Sequence, residues 1–494
     1  MKKIINILTI ILIAGFSSIA QNEVDALRFS QNFAGGTARA MASGGAFGSL
    51  GGDFSSISIN PAGLGVYRSS EFTFTPTFAY NNANSAYYGT NVSDFKYNFN
   101  FNNMGIVGAY NSGNDDGWVT TNFAFGYNQL NNFHNQIRIQ GTNIHNSLTD
   151  YFAEQANGRS STSLFSGYGA FEEGLAWDAY LIDPDTAGVN QYVSNLAPQY
   201  GELQRKTSEI KGSIGEYVIA LGGNYKHKLF IGGSIGIQTL RYINNSVHRE
   251  IDELGTIDNF KEFAYNTNFE THGTGFNFKF GAIFRPIDVL RLGVAIHSPT
   301  FFDLTDRYKT SMDSYFDNGD EYHVKPVSSD GETMSGAFDY RLSTPFKAIG
   351  SLSFIIAKKG FVSVDYEFVD YRTARLRSGS YDFYDENDAT QQAYRATGNL
   401  KAGIEYKLDN FALRGGYAMY GSPYAEGQIN VDNVVSSISG GFGIWDEGFF
   451  FDMAYVYTTN TQYQYLYDPS VIVTDGAKLD FSNSKIMATF GFRF

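Results

Sequence analysis

The chain has 494 residues, with 43 Phe, 34 Tyr, 53 Gly and only 10 Pro; charged residues make up 17% and cysteine is absent. The lack of cysteine excludes a disulfide scaffold or a cysteine-based lipid anchor, and a formal charge of −14 argues against a nucleic-acid partner, which needs a basic face. This aromatic and glycine content is unusual for a soluble enzyme but suits a membrane barrel with aromatic girdles.

At the start of the chain, Lys2 and Lys3 precede an apolar run from Ile4 to Phe16, followed by Ser18-Ile19-Ala20. This is the pattern of a secretory signal peptide over residues 1–20, with a mature chain from Gln21. No later stretch approaches the roughly 18 consecutive apolar residues of a membrane helix. The stretch from Gly35 to Gly65, GGTARAMASGGAFGSLGGDFSSISINPAGLG, is rich in Gly, Ala and Ser, with scattered apolar residues and the lone charges Arg39 and Asp53. Too small-sided to build its own core, it is expected to pack inside something larger, because small residues let a backbone lie close against another surface. Asn60-Pro61 ends it before the first strand at Glu71.

GGTARAMASGGAF followed by DFSSISINPAGLG resembles the N-terminal hatch of the FadL-type outer-membrane transporters, which carry long-chain fatty acids and aromatic hydrocarbons, and Asn60-Pro61-Ala62 matches the NPA motif of that family. The resemblance implies a hatch over residues 21–70 inside a barrel over 71–494, gated through Arg39, Asp53, Asn60, Pro61 and Ala62. It also implies a ligand pocket to which Phe47, Leu50 and Phe54 of the hatch contribute, and a sideways exit beside a kinked third strand. Gly126 is the expected kink, since glycine marks bends in strands.

From Glu71 onward, about fourteen segments alternate with the two-residue period of a strand. In the clearest, Phe276, Phe278, Phe280 and Phe284 point to lipid while Asn277, Lys279 and Arg285 point inward. Short connections alternate with long ones at 141–212, 244–271, 299–334, 372–394 and 460–483, as short periplasmic turns and long extracellular loops should. Pro345 interrupts the eighth segment. Within 141–212, Leu148, Tyr151, Phe152 and Ala156 mark one helical face, and Phe171, Leu175, Ala179 and Ile182 a second. By resemblance, Phe171 and Leu175 would line an outer groove where an apolar ligand lands. The last strand ends on Phe494, a terminal aromatic like the signal read by the barrel assembly machinery.

The inward rows carry both signs of charge, and such pairs are expected to hold the wall and hatch together; Lys279 or Arg291 would be free to meet a ligand carboxylate. Arg39 is expected to pair with a wall carboxylate. The seven histidines have no metal-ligand spacing, and no nucleophile motif is present, so neither an enzyme, a metal site nor a cofactor is expected. The sequence predicts an all-β, 14-stranded antiparallel transmembrane barrel with a lumenal plug. It is expected to be monomeric in the lipid of a Gram-negative outer membrane, and to carry hydrophobic small molecules, long-chain fatty acids first among them. A non-transporting barrel that shuttles secreted proteins is the alternative, and an aqueous porin is disfavoured by the hatch.

Overall fold

The computed structural model describes residues 22–494 apart from 34, 115, 187, 329 and 358; the expected signal peptide lies outside the described residues. Fourteen antiparallel wall strands form a closed barrel. They are β1 (Glu71–Tyr87), β2 (Thr90–Asn111), β3 (Trp118–Asn132, continued by Asn135–Thr142), β4 (Leu203–Tyr225), β5 (Leu229–Ile251), β6 (Glu262–Ile287), β7 (Leu290–His297 and Phe301–Tyr315), β8 (Gly336–Ser343 and Lys347–Ile356), β9 (Gly360–Asp370), β10 (Ala396–Leu408), β11 (Phe411–Tyr420), β12 (Val435–Asp446), β13 (Phe449–Gln464) and β14 (Ala477–Arg493). β14 pairs back onto β1, from Glu71 opposite Arg493 to Ala86 opposite Lys478, and this pairing closes the ring. Among the described residues, no helix is long and apolar enough to cross a membrane.

Side-chain alternation explains why the sheet closes this way round. Phe276, Phe278, Phe280 and Phe284 are each about half exposed on the outside of β6, while Asn277 and Lys279 between them are buried in the lumen. This is the arrangement of a lipid-facing wall around a polar interior. β7 and β8 are interrupted beside Pro299 and Pro345, where no N–H is available to continue the ladder.

Several connections expected as loops are strand instead. β5 runs on to Ile251, β6 begins at Glu262, and β7 resumes from Phe301 to Tyr315, so much of 244–271 and 299–334 is wall. Likewise β4 begins at Leu203, inside the loop expected to reach 212. These extensions lie toward the long-loop end, where packing against loops replaces the lipid contact that imposes strict alternation.

The long-loop end is covered by a helical cap. α4 (Leu148–Ala156) starts at a capping box of Ser147 and Asp150, and α5 (Glu173–Asp178) follows a short 3-10 turn. Their apolar faces meet in one core: Phe152, Leu164, Leu175 and Leu181 are fully or almost fully buried with Tyr265 of β6 and Leu479 of β14. Glu172 is buried in the cap, and burial pushes its carboxyl up to about 8. The folded cap therefore holds a proton that the unfolded chain releases near 4.5, so its stability falls as pH rises from about 4.5 to about 8 and is level above that. Hydrogen-exchange protection of α4 and α5 is expected to decline across this window, and Glu172→Gln to reduce the decline, the remainder coming from Asp150 of α4, which burial raises to about 6.

Candidate functional site

The segment from Asn22 to Val66 lies in the lumen. It contains α1 (Glu23–Ser30), α2 (Ala38–Ala42), α3 (Ser56–Ile59) and a 3-10 turn, Pro61–Val66. It is tied to strands all around the ring. Ala38 N donates to Thr489 Oγ1 of β14 at 2.7 Å, Gly48 N to Asp365 Oδ2 of β9 at 2.8 Å, Ser58 Oγ to Glu216 Oε2 of β4 at 3.0 Å, and Asn122 Nδ2 of β3 to the Leu64 carbonyl at 2.7 Å.

Asn60 explains the NPA sequence physically. Its Oδ1 accepts from Ala62 N at 3.1 Å and so caps the 3-10 turn, while its Nδ2 donates to the Gly48 carbonyl at 2.6 Å and to the Ala282 carbonyl of β6 at 3.3 Å. Pro61 fits the first position of that turn, where no N–H is needed. Its carbonyl rests against Gly232 of β5, where a Cβ would collide with it. Phe54 is seated the same way: side chains at Gly105 or Gly126 would run into its ring. Gly126 thus has a packing role at a point where β3 is still regularly paired with both neighbours. The break in β3 comes later, with a register shift between Gln129 and Asn131.

The charges form compact networks. Arg39 Nε lies 2.9 Å from Glu405 Oε2; Arg414 Nε reaches the same oxygen at 2.7 Å, and Arg414 Nη1 lies 2.6 Å from Asp452 Oδ1. Asp53 accepts from Thr37 Oγ1 at 2.8 Å and from Ser55 N at 2.9 Å, so it braces the segment internally. Lys279 is paired with buried Glu216, and Arg291 Nη1 donates to the Leu50 carbonyl. Phe47 packs edge-on against Phe361 with centroids 5.8 Å apart, and Leu50 joins that cluster. In the cap, Phe171 packs on Tyr308, centroids 4.7 Å apart, and Leu175 is in the cap core. The structure thus commits Phe47, Leu50, Phe54, Phe171 and Leu175 to packing and Lys279 to an ion pair.

Two features have more open geometry. The first is a side gap. β2 pairs with β1 from Thr90 to Val107, but with β3 only from Asn103 to Asn111. Beyond its break, β3 turns inward over β1: Asn81 Nδ2 donates to the His134 carbonyl at 2.8 Å, and Ser85 Oγ to the Arg138 carbonyl at 2.6 Å. Among the described residues, side-chain contacts rather than a ladder bridge the space left behind, with Asn132 Nδ2 2.9 Å from Asn98 Oδ1 and Lys96 Nζ 2.7 Å from Glu209 Oε1. On the lipid side of that edge stand Phe95, Tyr97, Phe99 and Phe101, all well exposed.

The second feature is a lumenal cavity of about 340 Å³ between α1, the bend in β3 and the wall from β10 to β14. A second cavity, of about 360 Å³ at the short-turn end, is lined by Arg39, Arg291, Glu405 and Arg493 among others. Polar side chains outnumber apolar ones around the lumenal cavity; its described lining includes Asn82, Asn102, Gln129, Asn460 and Gln462 beside apolar Phe33, Leu130 and Phe481. Burying a methylene gains only about 0.8 kcal/mol, whereas stranding a polar group costs about 1–3 kcal/mol. Sequence reasoning passed over this wall, although Asn98, Asn100 and Asn102 already alternate with Tyr97, Phe99 and Phe101 along β2.

No protein-family model and no curated protein matches the sequence. Solved structures do. The crystal structure of a Pseudomonas aeruginosa FadL homologue aligns with a TM-score of 0.56 over 94% of this chain and 100% of that one, at 13% identity. The fold is FadL-like. Two further FadL-like barrels agree: the Ralstonia pickettii toluene transporter TbuX, at 15% identity, and the P. putida toluene transporter TodX, at 12%, each with a TM-score of 0.51 over 94% of this chain and 99% of its own.

Removing the shared carboxylate leaves Arg39 without its ion pair, while Arg414 keeps Asp452. Glu405→Leu is expected to lower stability by about 1.5–3 kcal/mol, the scale of a lost charge-assisted hydrogen bond, measured by urea unfolding in lipid vesicles. Gly232→Val should dislodge the Pro61 turn from β5, giving faster protease cutting between 35 and 65 in a barrel that still migrates as a heat-modifiable band.

Proposed function

We propose that this protein is an outer-membrane channel that takes up hydrophobic small molecules, with the N-terminal segment as its hatch. The observation that carries the reading is the side gap: pairing between β2 and β3 stops at Asn103, directly beside the lumenal cavity. A water-filled pore serves a greasy solute poorly, whereas a gap in the wall lets it pass into the lipid without crossing water. The ligand enters at the cap, rests above α2, and leaves past Asn98 and Asn132 toward Phe99 and Phe101. The FadL-like fold supports this reading, as do the solved neighbours described as toluene transporters.

The hatch acts through Asn60. Because its amide joins the 3-10 turn to Gly48 and to β6, a shift of that turn is transmitted to both. Arg39 and Asp53 keep the rest of the segment anchored while the turn moves. Long-chain fatty acids are the ligand class that the resemblance gives, and oleate is the probe.

Cysteine is absent from the native chain, so the gap is open to a clean test. Asn98→Cys with Asn132→Cys, oxidised to a disulfide, is expected to stop oleate uptake into cells, and reduction to restore it; uptake unchanged by the cross-link would sink the sideways route. Deleting Asn60 to Ala62 is expected to abolish uptake while the barrel still folds, and undiminished uptake would sink the gating role.

A further inference from the structure

We infer that the lumenal cavity receives the head of an amphiphile, one bearing several hydroxyls and a negative charge, rather than a bare hydrocarbon. The inference rests on the uptake reading and gives it a substrate class. Of the described residues that line the cavity, eleven are Asn, three are Gln and none is Asp or Glu. A carboxamide both donates and accepts, and so does a hydroxyl, so a wall of amides can match a cluster of hydroxyls group for group. Several of these amides are unspent. The side chains of Asn82, Gln129 and Gln462 find no hydrogen-bond partner among the described residues, and Asn483 Oδ1 is buried without one.

The charge in this wall is equally selective. Lys485 faces the cavity from β14 and has neither an ion pair nor a hydrogen bond among the described residues. Arg28, by contrast, is paired with Asp25 and lies over the Tyr242 ring at 4.6 Å. An unpaired ammonium in a wall free of carboxylates favours an anionic group, and a charge-assisted hydrogen bond to it is stronger than one between neutral partners. A hydrocarbon would strip water from the amides and offer nothing in exchange. The apolar part of the amphiphile has its own surface on Phe33 and Tyr420, which meet edge-to-face at 5.0 Å, and its way out at the gap.

The test uses the full chain in lipid nanodiscs, with protein-free nanodiscs subtracted, and four probes sharing a dodecyl chain: dodecyl glucuronide, dodecyl glucoside, dodecanoate and dodecane. Dodecyl glucuronide is expected to bind at least about tenfold more tightly than the glucoside, the scale of one added charge-assisted contact, and likewise more tightly than dodecanoate, which lacks the hydroxyls, and dodecane, which lacks both. Lys485→Gln should erase its advantage over the glucoside, and Gln129→Leu should weaken both sugars relative to dodecanoate, with heat-modifiability confirming that each variant is folded. Dodecanoate or dodecane binding as tightly as the glucuronide would overturn the inference and leave the uptake reading standing. If no probe binds and none crosses into protein-loaded liposomes, both fall.

Discussion

In a wall that faces lipid, every backbone N–H and C=O must find its partner within the wall, and the rest of this structure depends on how the chain meets that demand. Thirteen of the fourteen strand-to-strand seams, including the β14 to β1 closure, meet it with regular ladders or with breaks confined to bulges and prolines. The seam between β2 and β3 does not. Where β3 turns inward, β2 loses a neighbour, and the side chains of Lys96, Asn98, Asn132 and Glu209 span the space that a ladder would have filled. An edge closed by side chains opens at far smaller cost than one closed by a ladder, and it is this seam that carries the proposed route.

The same demand shapes the interior. A closed barrel of this width leaves a lumen too large for wall side chains alone, and the N-terminal segment occupies it by close backbone approach rather than by bulk. Gly105, Gly126 and Gly232 give way to Phe54 and Pro61, and the Asn60 amide converts that proximity into hydrogen bonds. Charge is handled in the same economical manner. Glu405 serves Arg39 of the segment and Arg414 of the wall at once, so plug and barrel share one carboxylate. Isolated charges in such a place would be strongly unfavourable, and sharing makes the position of the segment conditional on the wall around it.

A shared fold does not set the chemistry of a site, which is read from the residues that line it. The fold follows that of the FadL homologue and of two structures described as toluene transporters. The cavity above the segment carries amides and the Lys485 ammonium alongside apolar side chains such as Phe33 and Tyr420. Identities of 12–15% leave ample room for a shared wall to enclose a different interior.

Much of this was legible in the sequence because strand alternation is a local property. Phe276 to Phe284 declare an outer face and Asn277 and Lys279 an inner one without reference to any other strand. The fourteen segments, the helical faces of Leu148 to Ala156, the interruption at Pro345 and the small-residue segment before Glu71 could all be read in the same way. Strand ends beyond the lipid were less legible, since packing against the cap relaxes the alternation in 244–271 and 299–334. What only the tertiary structure decided is the fate of each lumenal residue. Lys279 looks free to meet a ligand carboxylate and is paired with Glu216; Phe171 looks like the wall of a groove and lies in a core; Gly126 looks like a kink and is a seat for Phe54. Asparagines as far apart in the chain as Asn82, Asn102 and Asn460 line one cavity because barrel closure brings first and last strands side by side. Sequence fixes which way a side chain points along its own strand, whereas its partner across the lumen is set by register and closure, which no local pattern encodes.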